Sequence, residues 1–190
     1  MTSEDSWRDQ FIETTRQRPY ADDLRAAALS ASLAQWTGLM TRAVVESCRA
    51  IGWQAAAKGH PLDLLPQVQQ EYLVIDVMAF ASSPEGKKAW AAPAAVFELE
   101  NSMSDERAAY SLWKVSCVRA PLGVVITYRK NWEKAAELVS SLSGSMPEVA
   151  VDGGQTLCLL VGSHDKNESF PFGFFKFWKY VPMLRAFSKW

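Results

Sequence analysis

EYLVIDVMAF (71–80), PAAVFELENS (93–102), SDERAAYSLWKVSCVRA (104–120) and PLGVVITYR (121–129) decide how this chain is read. The first two segments are apolar and strand-like, yet each carries acids. Asp76 stands in the middle of the first; Glu98 and Glu100 stand near the end of the second. Side chains alternate across a strand at ~3.3 Å per residue, so Val96, Glu98 and Glu100 share a face with the carboxylates about 7 Å apart. On the first segment, Asp76 is expected to share a face with Tyr72, Val74, Met78 and Phe80. An ionised carboxylate among such neighbours is costly unless paired, hydrogen-bonded or bound to a metal. Three acids converging from adjacent strands would suit a hard cation.

The segments that follow set the topology. Ser104 is an N-cap for a helix over 104–119, and Pro121 and Gly123 stop it. GVVITY is continuously apolar, the pattern of a strand buried on both faces. Strand 94–100, helix 104–119 and strand 122–128 therefore form a right-handed βαβ unit with parallel strands. Tyr110, Trp113 or Leu112, Cys117 and Ala120 are expected as the inner stripe of that helix. Upstream, SSPEGKK (82–88) is a turn short enough for an antiparallel return.

Further out, residues 1–20 read as a loosely attached arm with Trp7 and Phe11 as anchors. A long helix is expected from Tyr20 to Gly52, with a break near Gly38. Residues 53–70, with Gly59, Pro61 and Pro66, read as connecting structure. Beyond the βαβ unit come a helix near 131–143, a strand over 155–162 and an aromatic, basic tail with a strand over 173–180.

Composition narrows the function classes. At 190 residues, with 48 % apolar residues, the chain can bury a core as one domain. The formal net charge of −1 gives no global attraction to nucleic acid, so any such contact must be local. Three cysteines, Cys48, Cys117 and Cys158, sit in apolar segments without metal-ligand spacing, as buried free thiols of a reducing cytoplasm would. A Cys117 nucleophile with His60 or His164 has no local signature and no orienting acid. The N-terminus is polar and acidic, unlike a signal peptide, and no window is apolar enough for a membrane span. The expected location is cytoplasmic.

The order helix, strand with Asp, strand with Glu-x-Glu, helix, strand resembles the PD-(D/E)XK, or restriction-endonuclease-like, superfamily. The residues that carry the resemblance are Asp76 in VIDV and, after twenty-one intervening residues, Glu98-Leu99-Glu100. It spans roughly 25–130 and implies an α/β fold. The expected architecture is an αβββαβ core with a mixed central sheet, a long N-terminal helix and an aromatic C-terminal extension. The domain would be single, 1–190, with 1–20 as the arm and 145–190 as the extension. One core strand either lies within 53–70 or is missing.

The resemblance further implies a metal-dependent nuclease, with Asp76, Glu98 and Glu100 as ligands of Mg²⁺ or Mn²⁺ and DNA as the substrate. Glu100 stands where the superfamily usually has lysine, and some relatives supply that lysine from the following helix. Lys114, fourteen residues after Glu100 and on the helical face of Arg107, is placed for that role. Glu46 on the first helix is a further candidate acid, though a surface position suits it as well.

Two other readings stand beside this one. The strand acids are also what solvated or Lys- and Arg-paired structural carboxylates look like. A catalytically inactive member of the superfamily would serve as a binding or assembly module. Its contact would be the tail 170–190, where nine aromatics alternate with four cations and no acid follows Glu168. That composition suits base stacking and phosphate contact, a homodimer seam or protein partner, or ordinary core packing.

Overall fold

The computed structural model describes residues 2–81, 88–145 and 154–190. Their helices are α1 (Ser3–Arg16), α2 (Tyr20–Leu29), α3 (Leu33–Ala50), α4 (Asp105–Ser116) and α5 (Trp132–Ser145). The strands are β1 (Trp53–Ala57), β2 (Val77–Ala81), β3 (Ala95–Glu100), β4 (Leu122–Arg129), β5 (Thr156–Ser163), β6 (Phe175–Val181) and β7 (Ala186–Lys189).

The strands make one mixed sheet in chain order, β1 to β7. β3, β4 and β5 are mutually parallel, and the outer pairings on both sides are antiparallel. The parallel pairs follow from the helices α4 and α5, which carry the chain back across the sheet between successive strands. β4 is buried along its whole length, as its unbroken apolar run requires.

Helices cover both faces. α1, α2 and α3 lie on one, where Trp7, Phe11, Leu24, Met40 and Val44 meet Phe97, Val124, Ile126 and Leu160. α4 and α5 lie on the other, where Leu112, Val115 and Leu138 meet Val96, Val125 and Leu159. Alternation along β3 therefore sends Phe97 and Leu99 to the first face, and Val96, Glu98 and Glu100 toward α4.

Four expectations are corrected. Residues 1–20 are no loose arm: α1 is capped by the Thr2 hydroxyl, and Trp7 and Phe11 are fully buried. The long N-terminal helix is two helices, divided at Ser30–Ser32 and not near Gly38, with Ala31 at a left-handed φ of 53°. Residues 53–57 are not connecting structure but strand β1, the core strand sought within 53–70, paired antiparallel with β2. Its small side chains, Ala55 to Ala57, mask the strand pattern in the sequence. Finally, the first acid-bearing strand begins at Val77 and not near residue 71. Tyr72–Ile75 is a tight turn with Leu73 and Val74 both at left-handed φ. Burial of Tyr72 and Ile75, with the Tyr72 hydroxyl donating to the Gln67 carbonyl at 2.6 Å, sets that turn and leaves Leu73 and Val74 exposed.

The turn expected at 82–88 lies outside the described residues apart from Lys88. The antiparallel pairing of β2 with β3 that it was to provide is present.

Candidate active site

The β2–β3 ladder runs from Val77–Ala79 against Ala95–Phe97 and then stops. One residue further along on each side stand Asp76 and Glu98, and their side chains take over from the ladder. The Leu99 N–H donates to Asp76 Oδ2 at 2.8 Å, and the Asp76 N–H donates to Glu98 Oε1 at 3.2 Å. Each carboxylate thus satisfies a backbone donor that strand pairing leaves free. Asp76 continues the β2 alternation that points Met78 and Phe80 toward the α4–α5 face, the face on which Glu98 lies.

α4 closes the site from above. Ser104 caps it by accepting from the Arg107 N–H at 3.3 Å, as its sequence predicts. Its inner face is Ala108, Ser111, Leu112 and Val115. Of the expected stripe, Leu112 and Ala120 are buried, whereas Tyr110 and Trp113 are more than half exposed and Cys117 is exposed. Small Ala108 and Ser111 against the sheet leave the bulky rings outside. Lys114, three residues after Ser111, comes down at the edge of this face. Its Nζ lies 2.9 Å from Glu98 Oε1.

Glu100 is placed differently. It follows Glu98 on the same face, but its Oε1 accepts the Ser102 N–H at 2.7 Å, turning it toward the β3–α4 loop. Among the described residues no three His, Cys, Asp or Glu side chains form a ready-made metal cage. Asp76, Glu98, Glu100 and Lys114 nevertheless line one cleft of about 760 Å³, together with Asn101, Ser102, Arg107 and Tyr110. Glu46 is absent from this lining; it pairs with Arg42 on the outside of α3 at 2.7 Å. Cys117, His60 and His164 are dispersed to the end of α4, the end of β1 and the turn after β5.

Burial dominates the electrostatics. Desolvation raises the pKa of Glu98 to about 7, the negative Asp76 adds to the rise, and the Lys114 ammonium partly offsets it. Asp76 is also raised, again by desolvation first, against the hydrogen bond from Leu99 and the charge of Lys114. Two carboxylates with raised pKa values in one cleft are poised for a proton or a cation.

The donor set suits a hard ion. Magnesium favours carboxylate and carbonyl oxygens at about 2.0–2.1 Å and retains several waters, so two protein carboxylates suffice. Asp76 Oδ1 and Glu98 Oε2 take no hydrogen bond from the described residues, whereas Glu98 Oε1 is held by Lys114 and by Asp76 N–H.

The fold has a solved counterpart. NucC of E. coli MS115-1, in its cAAA-bound form, superposes with a TM-score of 0.51 at 14 % identity, covering 100 % of this chain and 83 % of NucC. This chain has the restriction-endonuclease-like fold. No family model and no curated protein matches it. Strands β1 to β4 with α3 and α4 are the αβββαβ core of that fold, and the acid cleft opens at the carboxyl end of β3, beneath α4.

The aromatic tail resolves into structure. Phe170, Phe174, Trp178, Tyr180 and Phe187 are buried in β6, β7 and the turns before them, so most of its aromatic surface is spent on the core. Phe172, Met183 and Leu184 remain exposed.

Proposed function

We propose that this chain is a nuclease that hydrolyses phosphodiester bonds in nucleic acid, with DNA as substrate and Mg²⁺ or Mn²⁺ as the required ion. The observation that supports this most is the placement of Asp76 and Glu98 side by side beyond the β2–β3 ladder, with Lys114 of α4 at 2.9 Å from Glu98. The fold shared with NucC adds support.

In this reading Asp76 and Glu98 hold the ion through carboxylate oxygens, with Glu100 positioned beside them. A bound divalent ion supplies an acidified water and charge neutralisation at phosphorus. The chain's residues do the rest. Lys114, whose ammonium lies beside Glu98 in the same cleft, would stabilise charge on a phosphate oxygen. Glu100 accepts a proton from the attacking water, its Oε1 kept in place by the Ser102 N–H. Arg107, on the same lining, contacts the substrate backbone.

One observation favours a second reading. With Glu98 already paired to Lys114 and no preformed cage among the described residues, the cleft is also what an inactive, ion-free member of the fold would retain. Such a protein would bind nucleic acid or a protein partner, the exposed Phe172, Met183 and Leu184 being the remaining tail surface.

A cleavage assay decides between them. Linear and circular DNA, and RNA, are incubated with the protein in Mg²⁺, in Mn²⁺ and in EDTA. Hydrolysis in either metal, absent in EDTA and lost in Asp76→Asn and Glu98→Gln, is the expected result. Absence of cleavage under all conditions selects the second reading.

A further inference from the structure

α4 sets small residues against the sheet and turns two large rings outward. Tyr110 and Trp113 are 59 % and 51 % exposed, while Ala108, Ser111, Leu112 and Val115 take the inner face. The two rings touch, with centroids 5.8 Å apart and planes inclined by 33°. Each leaves half its surface or more in water, although this chain buries Trp7 and Phe11 completely. Adjoining exposed rings of this kind mark a contact surface.

The pair is continuous with the acid cleft. Tyr110 belongs to the cleft lining together with Arg107, Lys114, Asp76 and Glu98. Helical geometry fixes the order across the surface. At 3.6 residues per turn, Arg107 and Lys114 lie about 20° apart, Tyr110 about 40° beyond Lys114, and Trp113 about 60° beyond Tyr110. A strand passing outward over α4 from the acids therefore meets Lys114, whose Nζ is 2.9 Å from Glu98, then Tyr110, then Trp113. Lys114 and Tyr110 are one turn apart, about 5–6 Å between Cβ atoms, a reach that one nucleotide spans. Glu106 also lies on this lining, one turn before Tyr110. Its carboxylate turns phosphate away from the rings and toward Arg107 and Lys114.

Cations on the cleft side and rings beyond them are the two halves of a single-strand contact, phosphates on one and base faces on the other. We propose that Tyr110 and Trp113 form a stacking platform for unpaired bases of the DNA strand held in the cleft, next to the phosphate that is cut. This rests on reading the cleft as a phosphodiester site. Stacking is tolerant of sequence, because every base has a π-face. It needs a base that is not already sandwiched in a duplex, so single strands and frayed ends are the expected substrates. The platform also fits the formal net charge of −1: affinity for a polyanion then has to come from local cations and from stacking.

The first arm of the test measures binding by the full chain without cleavage, in EDTA and again in Ca²⁺. Fluorescence anisotropy follows three labelled oligonucleotides of one length: single-stranded oligothymidylate, a fully abasic strand with the same backbone, and a duplex. The native chain should bind thymidylate about tenfold tighter than the abasic strand, and tighter than the duplex. Tyr110→Ala and Trp113→Ala should each weaken thymidylate binding about fivefold and leave abasic binding as it was. Tyr110→Phe and Trp113→Phe, which keep a ring, should recover most of the loss. Both positions face water, so these variants should unfold in urea at the native midpoint, which separates lost stacking from lost fold. Equal affinity for thymidylate and abasic strands, alanine variants that bind like the native chain, or no binding at all overturns the proposal. So does a native oligomer that shows no preference for bases and that Trp113→Ala dissociates in sedimentation, since the rings would then meet a second copy.

A second arm measures cleavage of the thymidylate strand in Mg²⁺. Tyr110→Ala should raise KM about fivefold, more than it lowers kcat. An unaltered KM overturns the platform's part in the reaction. Base-dependent binding without any cleavage would remove the hydrolase reading and leave the platform standing. Cleavage without base-dependent binding would remove the platform alone.

Discussion

Lys114 and Glu98 form an ion pair of 2.9 Å at the mouth of the acid cleft, and the glutamate oxygen that receives the ammonium also receives the Asp76 N–H. The lysine side chain is 20 % exposed and the glutamate 7 %. The pair is therefore mostly desolvated, and taking away one member leaves the other in a site that disfavours its charge.

Replacing Lys114 tests that coupling. Lys114→Met should lower stability by about 1–3 kcal/mol, below the full range for a buried pair because the lysine is partly solvated. It should also raise the Glu98 pKa further, since the offset from the ammonium is gone. Urea denaturation reads the first effect, and ¹³C NMR of the Glu98 carboxyl across pH reads the second. Lys114→Arg should restore most of the pKa. An unchanged Glu98 titration in Lys114→Met would show that the pair does not exist in solution.

The raised Glu98 pKa makes stability fall with pH. The folded state keeps the proton up to about pH 7, whereas the unfolded chain loses it at the ordinary 4.5. Between those values the folded state binds more protons, so stability declines as pH rises through the window and levels off above it. Asp76, raised in the same direction, adds to the decline. His60, lowered by burial first and then by Arg49, acts in the opposite sense below its ordinary 6.5. Glu4 and Asp5, both lowered, act below pH 4.5 and stay out of the window. The melting temperature from pH 5 to 8 should therefore fall more steeply in the native chain than in Glu98→Gln. Parallel curves would refute the shift.

A divalent ion should reverse that penalty. At pH 7.5, millimolar Mg²⁺ or Mn²⁺ should raise the melting temperature by mass action on the folded state. Asp76→Ala and Glu98→Ala should each erase the rise, whereas Glu46→Ala, on the outside of α3, should keep it. Identical melting curves with and without ion would leave the acids as structural groups only.

α1 should contribute to the core as a full member. Trp7 is completely buried, stacked at 5.3 Å on Phe11 and tilted at 4.9 Å against Phe97 of β3. Trp7→Ala should cost about 3–5 kcal/mol, the range for truncating a buried aromatic. A change below about 1 kcal/mol in urea denaturation would mean that α1 is a detachable arm after all.

What could be read from the residues was the part governed by strong local pattern. The continuous apolar run of β4, the Ser104 cap and the Pro121 stop place a βαβ unit without ambiguity, and acids on apolar strands mark the cleft. Lys114 is singled out by the superfamily resemblance together with its spacing from Glu100, and α4 brings it to Glu98. The failures have physical reasons too. Three consecutive alanines carry no alternation, so β1 was hidden. Leu73 and Val74 have strand composition, but the buried neighbours Tyr72 and Ile75 impose a left-handed turn that propensity disfavours. On α4 the aromatics suggested the core face, whereas close approach to the sheet selects small Ala108 and Ser111. The turning of Glu100 toward Ser102 depends on loop geometry, which local sequence pattern does not encode.

The docking of α1 carries a consequence for how the protein is made. Phe11 meets Phe175 and Phe177 of β6 edge-on, Glu4 pairs with Lys179, the Asp5 carboxylate accepts from the Trp190 indole, and Arg8 lies over that ring. On a ribosome, α1 emerges well before the strands it rests on exist. Until β6 and β7 follow, Trp7 and Phe11 have no complete surface to bury, and the nascent chain presents an apolar helix to the cell. Synthesis stalled before about residue 175 should therefore yield chains that chaperones retain, and release should coincide with translation of the closing hairpin.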